Sequence, residues 1–316
     1  GVLRIKQNNR QMDNILENRN VVKNYSSKTA IDNVSFDVPR GEVFGMLGPN
    51  GAGKTTMIRM INQITLPDEG KIFFDGEELK EKHVEYVGYL PEERGLYKKM
   101  KVGEVALYLA ELKGLKPSKA KQKLDYWFEK FEIADWWNKK VEELSKGMQQ
   151  KVQFITTVLH EPKLLIFDEP FSGFDPLNAN LIKHEILELK KKGVTIIFST
   201  HNMASVEEIC DRIVLINQAK NILTGAVKEI KQQFKNNEFE IITTSEQIEH
   251  LLVEGVELVS KTMNTDNALT TSIVKIPQGK NADLLSSVLR ETDIVSYREI
   301  LPTMNDIFIN AVKSYS

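Results

Sequence analysis

The sequence predicts an α/β protein with a mixed sheet and a helical insertion, followed by a small α+β domain. The first observation is a glycine-rich motif, residues 48–55, which lies between an apolar run and a helical segment that begins at Lys54. The second is a set of short apolar runs that alternate with helical stretches, at 163–167, 195–199 and 213–216. Such alternation indicates a parallel sheet. The third is a change beyond about residue 231 to a β-α-β-β-α-β pattern.

The coarse secondary structure sets the expected domain boundaries. In the first domain, residues 15–230, we expect in order strands at 15–22, 31–38 and 42–47, a helix at 54–64, a strand at 71–75 and helices between 102 and 141. A helical subdomain is assigned to about 95–160. The second domain, 236–316, is expected to be an accessory or regulatory domain. It should hold strands at 238–243, 256–261, 268–276 and 294–300 with helices at 245–253, 282–290 and 304–312, a ferredoxin-like arrangement.

The glycine-rich motif, Gly-Pro-Asn-Gly-Ala-Gly-Lys-Thr, matches the phosphate-binding pattern GxxxxGK[ST] between a strand and a helix. Its glycines let backbone N–H groups converge on an anion, and the helix that follows adds the positive end of its dipole. The expected nucleotide contacts are Asn50, Gly51, Ala52, Gly53, Lys54 and Thr55. Lys54 would reach the β- and γ-phosphates of ATP, and the Thr55 hydroxyl would bind Mg²⁺. The alternative is a glycine-rich turn without a ligand.

A second motif is an apolar strand, residues 164–167, that ends in Asp168, Glu169 and a proline. Ligands of open α/β sheets bind at the carboxyl ends of the strands, so both carboxylates are expected beside the phosphate-binding loop. Asp168 would hold Mg²⁺, and Glu169 would polarise the water that attacks the γ-phosphate. The alternative is that the two acids only cap the next helix.

Composition argues against a nucleic-acid-binding protein and against a protein stabilised by internal disulfides. The 316 residues are 41% hydrophobic, enough for a large core, and 42 Lys and Arg oppose 44 Asp and Glu. There is no positive field to attract a nucleic acid backbone, so no nucleic acid partner is expected. The single cysteine, Cys210, cannot form an internal disulfide and is expected to be buried, which fits a reducing, cytoplasmic setting.

The sequence predicts neither a membrane span nor a signal peptide. No apolar run approaches the roughly 18 residues that a spanning helix needs, and the first residues are polar. Residues 1–14 are rich in Asn, Gln and Arg and are expected to be a segment that precedes the first domain. The glycine at position 1 indicates either processing or a remnant that is not native.

Two weaker features complete an ordered set of motifs. Residues 144–150, Leu-Ser-Lys-Gly-Met-Gln-Gln, precede a helical run, and alone they are more typical of a routine helix cap than of an anion site. His201 follows a strand, where a lone histidine is usually structural. Together with the two motifs above, this order resembles the ATP-binding-cassette (ABC) ATPase family over about residues 16–230. We call residues 144–150 the signature segment, after that family's motif.

The resemblance implies a head-to-tail pair of cassettes that sandwich two ATP molecules, in a homodimer or heterodimer. Ser145 and Gly147 would contact the γ-phosphate bound to the partner chain, and His201 would position Glu169 and the water. Asp175 matches the loop that communicates across the dimer. Tyr25 would stack on adenine, unless it merely packs against the sheet, and Thr56 would contact the α-phosphate.

Three residues depart from the family pattern. Lys146 replaces a glycine and Met148 a glutamine in the signature segment, although Ser145 and Gly147 remain. At the loop that links the ATP site to the helical insertion, Glu92 stands where the family has glutamine. Its carboxylate can still bind Mg²⁺ directly or through water, but it adds negative charge beside phosphates.

Residues 88–100, the signature segment and the C-terminal extension together resemble bacterial exporters of the sodium-efflux and antibiotic-resistance kind. The resemblance implies an ATPase subunit that energises transport through separate multi-spanning permease subunits, docked near residues 92–97. It would lie in the cytoplasm, peripheral on the inner face of the cell membrane. The alternative is a soluble, non-transport ABC ATPase of the ribosome-acting or iron-sulfur assembly type. A DNA-maintenance ATPase would need a long heptad insertion, which the sequence lacks.

Overall fold

The structure is a computed structural model that describes residues 3–4, 13–26, 28–93, 95–172, 174–245, 248–264 and 268–315. The chain divides into two compact units. The first contains the described residues up to Val227 together with those from Ala311 onward, and the second contains Lys228–Asn310.

The first unit alternates strands with helices. Its strands are β1 (Leu3–Arg4), β2 (Asn14–Tyr25), β3 (Lys28–Pro39), β4 (Val43–Leu47), β5 (Glu69–Phe74), β6 (Glu77–Glu78), β7 (Val87–Leu90), β8 (Leu164–Asp168), β9 (Thr195–Thr200), β10 (Arg212–Asn217) and β11 (Lys220–Ala226). Its helices are α1 (Lys54–Ile61), α2 (Val102–Leu112), α3 (Pro117–Lys130), α4 (Lys146–Val158), α5 (Pro176–Lys191) and α6 (Met203–Ile209), followed by α7 (Val227–Gln233) at the boundary. Short 3₁₀ helices lie at Glu81–Tyr86, Ala134–Trp136 and Val141–Glu143.

A seven-stranded sheet in the order β1-β11-β10-β4-β9-β8-β7 forms the centre of this unit. The strands from β10 to β7 run parallel, whereas β11 is antiparallel to β10. Every residue of β4, β8 and β9 is buried, as expected for strands covered on both faces. The predicted α/β fold with a mixed sheet is confirmed.

The strands predicted at 15–22 and 31–38 belong to a second, antiparallel sheet in the order β3-β2-β5-β6. The β2–β3 hairpin carries Tyr25 at its tip, in register with Lys28. The helix predicted to reach residue 64 ends at Ile61, because Gln63 has a left-handed backbone (φ 57°) and the Asn62 side chain bonds back to the Ile58 carbonyl at 2.9 Å.

The helical insertion consists of α2, α3 and the start of α4. Its aromatic side chains pack together: Phe128 packs edge-on against Trp137, and Trp137 also lies against Gly103. Phe154 on α4 stacks on Phe167 of β8 with ring centroids 5.5 Å apart. Helix α4 is therefore anchored both in the insertion and on the central sheet.

The second unit is a four-stranded antiparallel sheet with a short helix packed on it. Its elements are β12 (Glu238–Thr243), a 3₁₀ turn (Glu249–Leu251), β13 (Glu257–Asn264), β14 (Leu269–Lys275), α8 (Asn281–Leu289) and β15 (Ile294–Ile300), and α9 (Met304–Tyr315) ends the described chain. The strand order β13-β14-β12-β15 is that of the predicted ferredoxin-like arrangement. Its core joins Ile241, Val274, Leu284 and Val288.

One helix prediction in this unit is wrong. The sequence predicts a helix at 245–253, but the described part of this segment forms only the single turn Glu249–Leu251. Ile248 and Leu251 are buried by that one turn, and Leu252 then adopts an extended backbone, which ends the helix. Residues 246 and 247 lie outside the described residues.

Two smaller expectations concern Cys210 and membrane spans. Cys210 is buried at the end of α6, and burial raises the pKa of its thiol far above the usual range. Across the ranges that the structure describes, no helix has both the length and the apolar character needed to cross a bilayer.

Candidate active site

The loop between β4 and α1 is shaped by glycines that have no room for a side chain. Gly48 has φ 150°, and a Cβ there would lie 2.2 Å from the Ile216 carbonyl oxygen. Gly53 has φ 118°, and its Cβ would lie 2.5 Å from the carbonyl oxygen of Ala30 on β3. The loop therefore packs against β3 and β10 while its backbone curls at the start of α1.

Gly53→Ala should destabilise the fold, because the new methyl group meets backbone that cannot move aside. We expect the free energy of unfolding to fall by about 1–3 kcal/mol, as for a strained or overpacked position. Chemical denaturation of the full chain measures it. Gly51→Ala is the matched control, since Gly51 also has positive φ (75°) but its new methyl group would meet no heavy atom within 4 Å. Equal losses in both variants would contradict the contact argument.

Lys54 begins α1 with its side chain buried beside the loop. Its ammonium donates hydrogen bonds to the Gly48 carbonyl at 2.7 Å and to the Pro49 carbonyl at 3.2 Å. Burial lowers the pKa of Lys54, while the carboxylates of Glu169 and Asp168 act in the opposite direction. A cation held by two neutral carbonyls can exchange them for phosphate oxygens, with which it forms stronger, charge-assisted bonds.

The two acids of the second motif lie at the carboxyl end of β8. Asp168 is buried, and burial raises the pKa of its carboxyl group, with Lys54 opposing the rise. Glu169 has a left-handed backbone (φ 47°), and its N–H donates to the Ser199 carbonyl of β9 at 2.9 Å. This turn comes directly after β8, and the hydrogen bond fixes the Glu169 backbone against β9.

The Glu169 carboxylate is held by the last residue of β9 and the residue that follows it. One oxygen accepts a hydrogen bond from the Thr200 hydroxyl at 3.0 Å. The other accepts one from the His201 backbone N–H at 3.0 Å and lies 2.6 Å from Nδ1 of the same histidine. The structure thus brings the two predicted catalytic residues, Glu169 and His201, into direct contact.

A cavity of about 280 Å³ joins the phosphate-binding loop to both acids. Among the predicted site residues, those that line it are Tyr25, Asn50, Gly51, Gly53, Lys54, Thr55, Thr56, Glu92, Asp168 and Glu169. Ala52 is buried and faces the core instead. Two lining residues, Lys28 and Ala30, were missed by sequence reasoning. Lys28 pairs with Tyr25 across the hairpin, and this pairing can be predicted only when the register of β2 and β3 is known.

Tyr25 and Glu92 occupy the outer part of this cavity. Tyr25 is 47% exposed at the tip of the hairpin, and the Lys23 ammonium lies 5.7 Å from its ring centroid. A half-exposed ring at a cavity mouth leaves a π face open for stacking. Glu92 is exposed in the loop that follows β7.

The signature segment lies outside the cavity. Ser145 caps α4, its hydroxyl oxygen accepting a hydrogen bond from the Met148 N–H at 3.3 Å. Gly147 follows in the first turn, facing the Phe174 ring. Asp175 caps α5 by accepting from the Leu177 and Asn178 N–H groups, both at 3.0 Å. Roles for Ser145, Gly147 and Asp175 toward a partner chain stay predictions.

The cavity fits ATP by its own chemistry. It offers the Lys54 ammonium, a glycine-lined backbone cradle at a helix start, and an aromatic ring at its outer end. Thr55, Asp168 and Glu92 supply hydroxyl and carboxylate oxygens, the donors that Mg²⁺ prefers. Together, the residues of the cavity are of the types expected in a site that binds a nucleoside triphosphate with its metal ion.

Two family models match the chain. The model described as "ABC transporter" matches residues 31–172, and the model described as "ATP-binding protein DrrA1-3-like, C-terminal domain" matches residues 225–312. The second match covers most of the ferredoxin-like unit, so this unit also occurs in related ATP-binding proteins.

Similar proteins and structures agree with these matches. The chain is 49% identical over 214 residues to the uncharacterized ABC transporter ATP-binding protein YhaQ of Bacillus subtilis, covering 68% of this chain and 72% of that one. It is 31% identical over 304 residues to the linearmycin resistance ATP-binding protein LnrL of the same species, covering 94% and 97%. A solved structure of the ATP binding subunit of an ABC transporter superposes with a TM-score of 0.66 at 32% identity, covering 70% and 93%. The chain therefore belongs to the family of ABC transporter ATP-binding proteins, which bind and hydrolyse ATP.

Proposed function

We propose that the chain is the ATP-hydrolysing subunit of an ABC exporter and that it drives transport through separate membrane subunits. The observation that carries this proposal is the cavity in which Lys54, Asp168 and Glu169 converge beside the phosphate-binding loop. The similarity to LnrL, a linearmycin resistance ATP-binding protein, extends over nearly the whole chain and supports the assignment to an exporter.

Nucleotide binding would use the two ends of the cavity. Adenine stacks on Tyr25, and the phosphates occupy the loop, with Lys54 at the β- and γ-phosphates and Thr56 at the α-phosphate. Thr55, Asp168 and Glu92 would hold Mg²⁺, and the bound ion would supply positive charge that neutralises the phosphates.

Hydrolysis would depend on Glu169 and its supports. The carboxylate accepts a proton from the attacking water as the water oxygen bonds to the γ-phosphorus and ADP leaves. Thr200 and the His201 N–H hold that carboxylate in place, and the His201 ring, whose Nδ1 lies 2.6 Å from it, would contact the γ-phosphate. Glu169 is therefore the catalytic base in this proposal.

The proposed active form is a head-to-tail dimer, a homodimer or heterodimer of cassettes. Ser145 and Gly147 lie outside the chain's own cavity, with Ser145 exposed at the start of α4, and in the dimer they would contact the partner's γ-phosphate. Leu177, two residues after Asp175, is 82% exposed, and contact with a second cassette would remove its apolar side chain from water.

The permease would contact the surface that follows Glu92. Tyr97 is 52% exposed there and packs edge-on against exposed Tyr108 of α2, with centroids 5.8 Å apart. Exposed aromatic side chains are enriched where proteins bind partners. In this proposal the protein is peripheral, on the cytoplasmic inner face of the cell membrane.

The ferredoxin-like unit is proposed to be an accessory domain that stabilises the dimer or regulates it. Removing residues 236–316 should weaken ATP-dependent dimer formation, and activity should change as a consequence. The effect on activity would be indirect, because that unit has its own core and none of its described residues lines the catalytic cavity. Size-exclusion chromatography with ATP measures dimer formation, and a phosphate-release assay measures ATPase activity. Unchanged dimer formation together with unchanged activity would contradict the role.

Affinity isolation tests the proposed partner. The tagged chain is recovered from gently solubilised membranes with ATP present, and the proteins that accompany it are identified. We expect a multi-spanning membrane protein. Recovery of ribosomes or iron-sulfur assembly factors, with the chain wholly in the soluble fraction, would favour the non-transport ABC ATPase instead.

A further inference from the structure

A second cavity is lined by residues of helices α3 and α5, and we call it the α3–α5 cavity. Its volume is about 570 Å³, whereas that of the catalytic cavity is about 280 Å³. Its lining includes Leu165, the second residue of β8, and Val194, which directly precedes β9. Asp168 ends β8 and lines the catalytic cavity, so the two cavities lie toward opposite ends of this strand. They share no lining residue among those that the structure describes, and the α3–α5 cavity is therefore a separate site.

The lining of the α3–α5 cavity is mainly apolar. Val158 and Leu165 are buried, Trp127 and Leu189 are half-buried, and Tyr126 is 56% exposed. Pockets that bind small molecules have this character, with a volume of roughly 300–1,000 Å³, apolar and aromatic walls and a few polar groups. An apolar ligand would remove these walls from water, and each CH₂ group that it buries increases affinity roughly 4-fold. The ligand that fits the walls therefore has an apolar body.

Positive charge exceeds negative charge at this cavity. Lys123 forms an ion pair with Glu161 at 2.8 Å and donates to the Leu159 carbonyl at 3.2 Å, so its ammonium already has partners. The hydrogen bond from Lys123 lowers the pKa of Glu161, and the charges of Lys119 and Lys192 act in the same direction. Lys192 lines the cavity and forms no ion pair within the part of the chain that the structure describes. Its ammonium is therefore available to an anionic group of a ligand.

We propose that the α3–α5 cavity binds a single-chain carboxylate, with the apolar chain against Trp127 and Leu189 and the carboxylate at Lys192. A cationic ligand of the same size would meet two lysines that line the cavity, and a neutral one would leave Lys192 without a partner. The site uses no residue of the catalytic cavity, so this inference does not depend on the proposed function.

Calorimetric titration of the full chain with three soluble probes tests the class of ligand. Decanoate should bind with one molecule per chain. Octanoate has two fewer CH₂ groups and should bind roughly 10- to 20-fold more weakly. Decyltrimethylammonium has the same chain with the opposite charge, and it should bind at least about 3-fold more weakly than decanoate. Saturating ATP should change the affinity for decanoate by no more than about 2-fold, because the two sites share no residue.

Leu189→Trp tests the location, because the indole would occupy volume that the ligand chain needs. The affinity for decanoate should fall roughly 10-fold or more. Leu112→Trp is the matched control, since Leu112 is 64% exposed at the end of α2 and lies outside the cavity. The control should keep the wild-type affinity, and circular dichroism checks that both variants fold.

Lys192→Gln tests the contact with the carboxylate. A partly exposed charge pair contributes little, so the affinity for decanoate should fall roughly 2- to 5-fold. Lys191→Gln is the matched control, since Lys191 is exposed on the same helix, pairs with Glu188 and does not line the cavity. This pair of variants and the series of probes decide the question even if Leu189→Trp does not fold.

Four results would overturn the inference. The first is the absence of saturable decanoate binding, and the second is equal affinity for decanoate and octanoate. The third is displacement of decanoate by ATP, which would place the bound probe in the catalytic cavity. The fourth is sedimentation of the chain with phosphatidylglycerol vesicles without binding of free decanoate, which would assign the cavity to a bilayer lipid. Failure of the chain to hydrolyse ATP is a different result, since it would contradict the proposed function and leave this site unaffected.

Discussion

Glu169→Gln should abolish ATP turnover while leaving ATP binding intact. Glutamine keeps the shape of the side chain and can still contact Thr200 and the His201 N–H, but it cannot accept the proton of the attacking water. Loss of a general base typically lowers the rate by about 10²- to 10⁴-fold. The measurement pairs single-turnover hydrolysis with equilibrium binding of ATP.

The same variant should accumulate a closed dimer, because in the proposed dimer ATP would hold the two cassettes together until it is hydrolysed. Size-exclusion chromatography with and without ATP reveals it. Glu93→Gln is the matched control. Glu93 is exposed and does not line the cavity, although it directly follows Glu92, which does. Normal hydrolysis by Glu169→Gln would show that the assignment of Glu169 as catalytic base is wrong.

Lys54→Ala should weaken nucleotide binding itself. The variant removes the ammonium that the structure holds on the Gly48 and Pro49 carbonyls, ready for phosphate. Hydrogen bonds to charged groups contribute about 1.5–3 kcal/mol, so the dissociation constant for ATP should rise roughly 10- to 150-fold. Calorimetry or a fluorescent ATP analogue measures it.

Lys113→Ala is the control for removing a half-buried lysine that is held by backbone carbonyls. Lys113 also donates to two backbone carbonyls, those of Val84 and Val87, and burial likewise lowers its pKa, but it lies outside the cavity. This control should lose stability and keep its affinity for ATP. Equal loss of affinity in both variants would mean that Lys54 acts through the fold rather than through phosphate.

The sequence predicted the central sheet well because its strands have strong local signals. Strands β8 and β9 are short apolar runs between helical stretches, and each observed strand starts and ends within one residue of the predicted run. The contact between Glu169 and His201 also follows from topology, since both residues come directly after neighbouring parallel strands.

The features that sequence reasoning missed depend on contacts between distant residues. Lys28 lines the cavity only because β2 and β3 pair in one particular register. The hydrogen bond from Gln150 to Ser172 joins residues 22 positions apart. The predicted helix at 245–253 failed because burial of Ile248 and Leu251 needs only one turn. Sequence periodicity reports only the local preference of a segment for helix or strand, and in this segment tertiary packing determined the structure.

The most direct measurement of the central claim is the rate of ATP hydrolysis by the purified chain, alone and with the membrane protein isolated alongside it in a lipid bilayer. We predict that the membrane protein stimulates hydrolysis and that Glu169→Gln abolishes the stimulated rate. An identical rate with and without that protein would contradict the claim that this ATPase drives transport.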